Sequence, residues 1–191
     1  MKIGILALQG SVIEHIQMFH EISGVEAFPL KYEEELEQVD GIVIPGGEST
    51  TIRKLLIDFH LLEPLQERIK NGLPVWGTCA GLIILAKTVD GLKNPSIGTM
   101  DICAHRNAYG RQKDSFIVEA MIPQISEGPV PLIFIRAPYI SEVGPHVEIL
   151  KIVHNHIVAA REKNMLVTAF HPELTQNLST HKYFLSMINN K

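Results

Sequence analysis

The sequence contains little cysteine: Cys79 and Cys103 are the two in a chain of 191 residues. They form no CxxC pair and are too few for a disulfide framework, so we expect free thiols in a reducing compartment. Long apolar runs are also missing. The first ten residues hold one lysine and a six-residue apolar stretch, too short for a signal peptide, and no stretch approaches the roughly 18 residues of a membrane span. These absences predict a soluble, cytoplasmic protein.

The chain has no excess of positive charge. It carries 17 Lys and Arg against 21 Asp and Glu, a net charge of -4, which gives no electrostatic basis for binding nucleic acid. Internal repeats, low-complexity tracts and linkers are not evident either. With 46% hydrophobic residues, a chain of this length is long enough for one well-buried core and short for two. We therefore predict a single domain over residues 1–191.

The apolar pattern changes period along the first half of the chain. Buried-strand runs occupy residues 2–8, 25–32, 41–47 and 74–77, and helical spacing covers residues 11–23, 50–72 and 81–89, with a break expected at Pro64. This order predicts a three-layer α/β fold with a mostly parallel central sheet and helices on both faces. Strand-like runs then predominate from residue 97 to 170, and a last helix is expected over residues 180–189.

Residues 77–81, GTCAG, place Cys79 between two glycines where an apolar strand gives way to a helix. A nucleophile elbow has this arrangement, because the sharp turn that exposes the nucleophile leaves room only for small neighbours. The amino terminus of the helix would also stabilise a thiolate. The alternative is a small buried cysteine in a glycine-rich turn, and the pentapeptide alone does not decide between the two.

Nine histidines are available as a base for this cysteine. His15, His20 and His60 lie in helical runs and are expected on the surface or at helix flanks. His171 differs, because it follows an apolar strand in the segment AFHPE and has Glu173 two positions on. In an extended segment such residues point the same way, so Glu173 could orient the imidazole. The alternative is an ordinary loop with a solvated glutamate.

A third element is the segment IVIPGGEST, residues 42–50. A strand that ends in Pro-Gly-Gly leaves backbone N–H groups free to face a ligand, and Ser49 or Thr50 is a good helix N-cap. Without a GK[ST] sequence the turn fits an oxyanion or carboxylate site better than a phosphate loop. An ordinary strand-to-helix turn is the alternative.

A metal site at His154-Asn155-His156 with a cysteine is a further possibility. No other ligand has suitable spacing. We therefore predict no metal and no cofactor.

Six motifs in order carry a family resemblance: LALQG at 6–10, PGGESTT at 45–51, GTCAGLIILAK at 77–87, RNAYGRQ at 106–112, FIRAP at 134–138 and FHPELT at 170–175. The chain resembles the class I, triad-type glutamine amidotransferases and, among them, the family of glutaminase subunits of pyridoxal 5′-phosphate synthase. The resemblance implies a flavodoxin-like class I fold. Two departures from the family pattern, at Ala104-His105 and at residues 176–179, touch none of the three candidate triad residues.

The resemblance also implies a role for each site residue. Cys79 would be the nucleophile, His171 the acid–base and Glu173 the residue that orients it, while backbone N–H groups of Gly47 and Ala80 would hold the oxyanion. The implied glutamine pocket consists of Gly46, Gly47, Glu48, Ser49, Arg106, Ile135 and Arg136. A guanidinium suits the substrate's α-carboxylate because it can bind both oxygens.

The implied activity is hydrolysis of L-glutamine to glutamate and ammonia through a γ-glutamyl thioester. The implied partner is the synthase subunit, which would receive the ammonia in a hetero-oligomeric complex that makes pyridoxal 5′-phosphate (vitamin B6). Two other functions stay open at this point. A γ-glutamyl peptidase could use the same triad, and a non-catalytic module could carry an elbow cysteine, although such a module would not need the His-Pro-Glu segment.

Overall fold

The computed structural model describes residues 1–93, 96–106 and 115–189. The strands are β1 Lys2–Leu6, β2 Glu26–Leu30, β3 Gly41–Ile44, β4 Val75–Thr78, β5 Ala86–Val89, β6 Leu92–Lys93, β7 Met100–His105, β8 Ser115–Ala120, β9 Val130–Ile135, β10 Tyr139–Val143, β11 Glu148–Val153, β12 His156–Glu162 and β13 Met165–Thr168. The α-helices are α1 Val12–His20, α2 Ser49–Asp58, α3 Leu62–Lys70, α4 Ala80–Leu85 and α5 Ser179–Asn189. Two short 3-10 helices cover Glu33–Gln38 and Pro172–Leu174.

The central sheet has a parallel core. Within the described residues its strand order is β2-β1-β3-β4-β13-β12-β10-β7-β5-β6, with β11 paired to β12. The first five strands of this order run parallel, as predicted, and all residues of β3, β4 and β13 are buried. The pairs that β12 makes with β13, β11 and β10 are antiparallel. A separate antiparallel pair joins β8 to β9.

Helices cover both faces of the core, as predicted. Successive side chains of a strand point to opposite faces. Trp76 in β4 packs against His181 and Phe184 of α5, with ring centroids 5.0 and 5.8 Å away. The next residue, Gly77, faces α4, which itself packs against α2. The carboxyl end of β4 therefore lies between two helical layers.

The predicted break at Pro64 is wrong. Helix α2 ends at Asp58, and the chain turns through Phe59 and through His60, which has a φ of 56°. Pro64 lies in the first turn of α3. A proline fits there because the first N–H groups of a helix have no acceptor within the helix.

The helix predicted over residues 81–89 is also too long. Helix α4 ends at Leu85, and the following residues form β5, which pairs with β7 in parallel from Ala86 opposite Met100. The segment gains ladder hydrogen bonds from a distant strand, and its Thr88 and Val89 are β-branched residues that favour strands. Among the helices of the part of the chain that is described, none combines the length and apolar character of a membrane span.

Candidate active site

Cys79 occupies a strained turn between β4 and α4. Its φ of 48° and ψ of -99° are unusual for a residue with a side chain. The backbone N–H of Cys79 donates to the carbonyl of Thr168, 2.8 Å away, which ties the turn to β13. A methyl group on Gly77 would collide with Gly81, and one on Gly81 would collide with the Ile44 carbonyl. The two flanking glycines are therefore required by space, as expected for an elbow.

His171 and Glu173 follow β13 at the neighbouring strand end. The His171 N–H donates to the Ile133 carbonyl at 2.8 Å, and its Nδ1 lies 2.8 Å from Glu173 Oε1. The expected contact is present, but its geometry differs from the predicted extended segment. Residues Pro172–Leu174 form a 3-10 turn that brings the carboxylate back under the imidazole. The sequence therefore correctly predicted the contact between His171 and Glu173, but the extended backbone assumed for that prediction was wrong.

The imidazole of His171 connects the carboxylate to the thiol. Its Nδ1 faces Glu173, and its ring lies with the Cys79 side chain against Gly46. Burial lowers the pKa of His171, but its interactions with the Cys79 and Glu173 side chains outweigh burial and raise it to about 10. The site therefore favours an imidazolium between two groups that carry or can carry negative charge.

Glu173 is buried and has polar neighbours on both oxygens. Ser11 donates its hydroxyl to Oε1 at 2.6 Å, and His15 Nε2 lies 3.5 Å from Oε2. Burial raises the pKa of Glu173, but His15, His171 and Ser11 together lower it to about 2. The prediction that His15 lies at the surface is wrong, since its side chain is fully buried. The helical run around it gave no sign of this contact, which depends on where α1 packs.

The glycine loop after β3 lies against the acid–base. A methyl group on Gly46 would overlap His171 Cε1. On the other side, the Gly46 carbonyl accepts from the Ser11 N–H at 3.0 Å. A side chain on Gly10, whose φ is 115°, would collide with that same carbonyl. The loop is therefore packed between His171 and the segment after β1, a contact that the sequence motifs did not reveal.

Glu48 caps α2, where we had predicted Ser49 or Thr50. Its carboxylate accepts from the Thr51 N–H at 3.0 Å and from the Thr50 hydroxyl. The hydrogen bond from Thr50 is the largest cause that lowers the pKa of Glu48. The Glu48 N–H donates to Gln9 Oε1 at 2.7 Å. Glutamate can serve as an N-cap here because its carboxylate folds back onto the first turn.

A cavity of about 590 Å³ opens above the elbow. Glu173 lies behind His171 and does not line the cavity. Ile83 and Leu174 do line it; both fall within the quoted motifs, but neither was predicted as a site residue. Of the residues predicted for the site, those that line the cavity are Gly46, Gly47, Glu48, Ser49, Cys79, Ala80, Arg106, Ile135, Arg136 and His171. Its lining also includes Gln9, Gly10, Ser11 and Pro138.

Two arginines stand at the side of the cavity. Arg106 is held by Asp90, which accepts from its Nε at 3.2 Å and from its backbone N–H at 3.2 Å. Arg136 is exposed and has a φ of 42°. Both can present a guanidinium to a carboxylate. Residues 107–112 of the RNAYGRQ motif lie outside the described part of the chain.

The histidines of the metal alternative lie elsewhere. His154 and Asn155 form the tight turn between β11 and β12, with φ of 50° and 66°. Two consecutive positive φ values are typical of a type I′ hairpin turn. Across residues 1–93, 96–106 and 115–189, no group of three or more His, Cys, Asp or Glu is placed to hold a metal ion. The metal alternative gains no support from this geometry.

The arrangement is suited to acyl transfer. A thiol at the head of a helix can act as a nucleophile, an imidazole in contact with it can move the proton, and a buried carboxylate can hold the imidazole in one orientation. Gly47 of the glycine loop and Ala80, the first residue of α4, whose N–H groups are the expected oxyanion donors, line the same cavity.

Known proteins resemble the chain over almost its full length. The family model described as the SNO glutamine amidotransferase family matches residues 5–190. Proteins named pyridoxal 5′-phosphate synthase subunit PdxT are 53% identical over 192 residues in Clostridium botulinum, covering 100% of both chains, and 56% identical over 188 residues in Carboxydothermus hydrogenoformans, covering 98% of both.

Solved structures share the fold. A crystal structure of a glutamine amidotransferase is 37% identical, covers 98% of both chains and has a TM-score of 0.91. The PurLQS structure from Thermotoga maritima covers 97% of both chains at 13% identity with a TM-score of 0.65, a likeness of fold alone. These likenesses confirm the predicted amidotransferase fold. With its parallel core, its elbow cysteine and a family match from residue 5 to residue 190, the chain belongs to the SNO glutamine amidotransferase family.

Proposed function

We propose that residues 1–191 form a glutaminase domain that hydrolyses L-glutamine to glutamate and ammonia. The observation that carries this proposal is the position of His171, whose Nδ1 lies 2.8 Å from Glu173 Oε1 and whose side chain lines the elbow cavity together with Cys79. Family membership supports the same reaction, because relatives over 50% identical across the chain carry the name of a pyridoxal 5′-phosphate synthase subunit.

The proposed reaction begins with the Cys79 thiolate. Its sulfur forms a bond to the side-chain amide carbon of glutamine, and the carbonyl electrons move to an oxyanion held by the N–H groups of Gly47 and Ala80. His171 then gives its proton to the leaving nitrogen, which departs as ammonia and leaves a γ-glutamyl thioester. In the second half, His171 takes a proton from water, whose oxygen attacks the thioester and releases glutamate and the thiolate.

Substrate binding uses the rest of the cavity. We propose that Arg106 or Arg136 binds the α-carboxylate of glutamine, with Gly46, Glu48, Ser49 and Ile135 around the side chain. The Glu48 carboxylate already caps α2, so we propose that this residue contributes its backbone rather than its charge.

The proposed partner is the synthase subunit of pyridoxal 5′-phosphate synthase. Ammonia released into water becomes protonated and loses its nucleophilic electron pair, so a protein that supplies ammonia needs a sheltered path into its partner. The segment Leu8 to Val12 borders the cavity through Gln9, Gly10 and Ser11 and is followed by the exposed Ile13. We propose this surface as the contact, and the cytoplasm as the compartment, where the two unpaired thiols would stay reduced.

A glutaminase assay tests the proposal directly. Glutamate release from L-glutamine is measured with and without the synthase subunit, for the natural chain and for Cys79→Ala. We expect release that depends on Cys79 and on the partner. A γ-glutamyl dipeptide serves as the competing substrate. Faster cleavage of the dipeptide than of glutamine would favour a peptidase instead, and no release from either would favour a non-catalytic module.

A further inference from the structure

Two buried histidines lie behind Glu173, on the side away from the cavity. His15 in α1 and His181 in α5 are both fully buried. His15 Nε2 lies 3.5 Å from Glu173 Oε2 and 3.3 Å from Thr78 Oγ1, the residue before the elbow cysteine. On the other side of the ring, His15 Nδ1 lies 3.2 Å from His181 Nε2. The four groups form a chain from the helix layer to the candidate triad.

The chemistry of these atoms favours one placement of the protons. A neutral imidazole has one N–H donor and one acceptor nitrogen, and an ionised carboxylate only accepts. His15 Nε2 lies 3.5 Å from the Glu173 carboxylate, which only accepts, so a proton on Nε2 is the favoured tautomer; the Thr78 hydroxyl at 3.3 Å can accept from it, and Nδ1 is left as the acceptor. His181 Nε2 must then donate to His15 Nδ1. His181 Nδ1 becomes an unprotonated nitrogen, and within the described residues it has no hydrogen-bond partner.

Both imidazoles stay neutral in this environment. Burial lowers the pKa of His15, although the Glu173 charge opposes it, and burial lowers the pKa of His181 to about 3. Trp76 and Phe19 pack edge-on against His181, and these aromatic neighbours offer no charge to stabilise a protonated ring. The contact between His15 and Glu173 is thus one between a neutral N–H and a carboxylate.

We propose that His15 is a positioning residue. The proton on its Nε2 attracts Glu173 Oε2, so that Oε1 remains in contact with His171 Nδ1, and His181 keeps that proton on Nε2 of His15 by donating to Nδ1 of His15. The inference rests on the proposed function. Oε1 already accepts from Ser11 and His171, at 2.6 and 2.8 Å. Oε2 forms no hydrogen bond within the described residues, and the polar group beside it is His15 Nε2, 3.5 Å away, whose attraction is electrostatic. Without His15, the carboxylate could rotate and place its charge away from His171.

The ionisable groups that face this site are few. His171 faces Glu173 from the segment after β13, His181 faces His15 from α5, and Glu14 acts on His15 from the same helix. Because the Nε2–H of a neutral His15 favours the ionised form of the Glu173 carboxylate beside it, its removal makes the carboxylate easier to protonate. The acid side of the pH–rate profile should then move to higher pH.

Two substitutions at position 15 separate positioning from packing. The amide nitrogen of His15→Gln can reach the place of Nε2, whereas that of His15→Asn reaches the place of Nδ1. Glutaminase kcat and KM are measured between about pH 5 and about pH 9 with the synthase subunit present. We expect His15→Asn to lower kcat on the order of 10-fold, with little change in KM and an acid limb at higher pH. His15→Gln should keep most of the natural kcat, and the acid limb of its pH–rate profile should lie near that of the natural chain.

Phe19→Leu is the packing control, because Phe19 touches His181 with its ring and has no proton to give. It should lower the melting temperature and leave the pH–rate profile unchanged. Equal profiles for His15→Asn and the natural chain would overturn the inference, as would a shift produced by Phe19→Leu. Nitrogen-15 NMR of the natural chain provides an independent readout of the His15 tautomer, and a proton on Nδ1 would also overturn it.

The proposed function fails on a different result. If Cys79→Ala keeps its glutaminase activity, the triad itself is wrong. If Cys79→Ala is inactive while His15→Asn keeps the natural rate and pH profile, only the role of His15 is rejected.

Discussion

Gly46 lies directly under the imidazole of His171, so close that a methyl group on its α-carbon would overlap Cε1 of the ring. The loop expected to supply an oxyanion donor and the residue expected to move the proton are therefore one packed unit. A change in the loop shifts the acid–base, and a change in the acid–base shifts the loop.

Gly46→Ala tests this packing. We expect the added methyl to displace the imidazole and to reduce glutaminase kcat by on the order of 100-fold, because small misplacements of catalytic groups have large effects. Gly128→Ala is the matched control, since nothing lies within 4 Å of its added methyl. It should keep the natural rate. Full activity in Gly46→Ala would show that the loop and the ring are not in contact during the reaction.

Cys79→Ala should remove glutamine hydrolysis without unfolding the chain. The side chain is small, and losing its sulfur from a residue that is 8% exposed should cost about 1 kcal/mol of unfolding free energy. Glutamate release and urea denaturation measure the two effects. Cys79→Ser preserves the shape of the elbow and should be inactive as well. Turnover by Cys79→Ala would contradict the nucleophile assignment.

His171→Asn and Glu173→Ala should differ in degree. His171→Asn removes the proton carrier and should abolish both formation and breakdown of the thioester, whereas Glu173→Ala should leave a reduced but measurable rate, since Glu173 orients the ring. Glu173 is also one of the groups that raise the pKa of His171 to about 10. NMR titration of His171 in Glu173→Ala should therefore give a lower pKa. An unchanged titration would mean that the carboxylate does not act on the ring.

The buried histidines predict a loss of stability in acid. The pKa of His181 falls from 6.5 in the unfolded chain to about 3 in the folded protein, so between these values the unfolded chain binds a proton that the folded protein does not. Stability should fall as pH decreases from about 6.5, by up to about 1.4 kcal/mol per pH unit for this group. His181→Leu should show a shallower decrease in urea unfolding between about pH 7 and about pH 5. If the unfolding free energies of His181→Leu and of the natural chain fell equally with pH, His181 would have to be protonated in the folded protein.

The last prediction concerns dependence on the synthase subunit. In this structure the Gly46 carbonyl accepts from the Ser11 N–H, so the orientation of the Gly46–Gly47 peptide, which carries the expected oxyanion donor, depends on the segment after β1. A partner bound at residues 8–12 can change this peptide. We expect low turnover by the isolated chain and a rise on the order of 10²–10³-fold on titration with the synthase subunit, the effect of gaining one oxyanion donor. An unrelated protein at equal concentration is the control, and a flat titration would reject the model.

Local sequence patterns located the chemistry better than the architecture around it. The elbow could be predicted because Gly77, Cys79 and Gly81 are close in sequence and are all small enough for a crowded turn. The residues of the glycine loop and of the His-Pro-Glu segment are also close in sequence, so these two elements could be predicted as well. His15 was not, because a single histidine in an amphipathic run does not reveal that α5 and the end of β13 will close over it.

Elements set by distant partners were the other difficulty. Residues 86–89 continue an apolar helical pattern, yet they pair with β7 because that ladder satisfies their backbone groups. Pro64 predicted a break from local stereochemistry, while the turn actually falls at Phe59 and His60, whose positions depend on how α2 and α3 pack. The apolar periodicity of a segment does not show that β7 will pair with residues 86–89 or how α2 and α3 will pack.

The tie between the Cys79 N–H and the Thr168 carbonyl, with His171 three residues further on, has a consequence for synthesis of the chain. Cys79 is translated well before the strand beside it, Met165–Thr168, and before His171. A growing polypeptide on the ribosome therefore carries an elbow cysteine with no acid–base beside it. Because Cys79, His171 and Glu173 come together only when β13 pairs with β4, we expect chains that have not yet formed this pair to lack glutaminase activity.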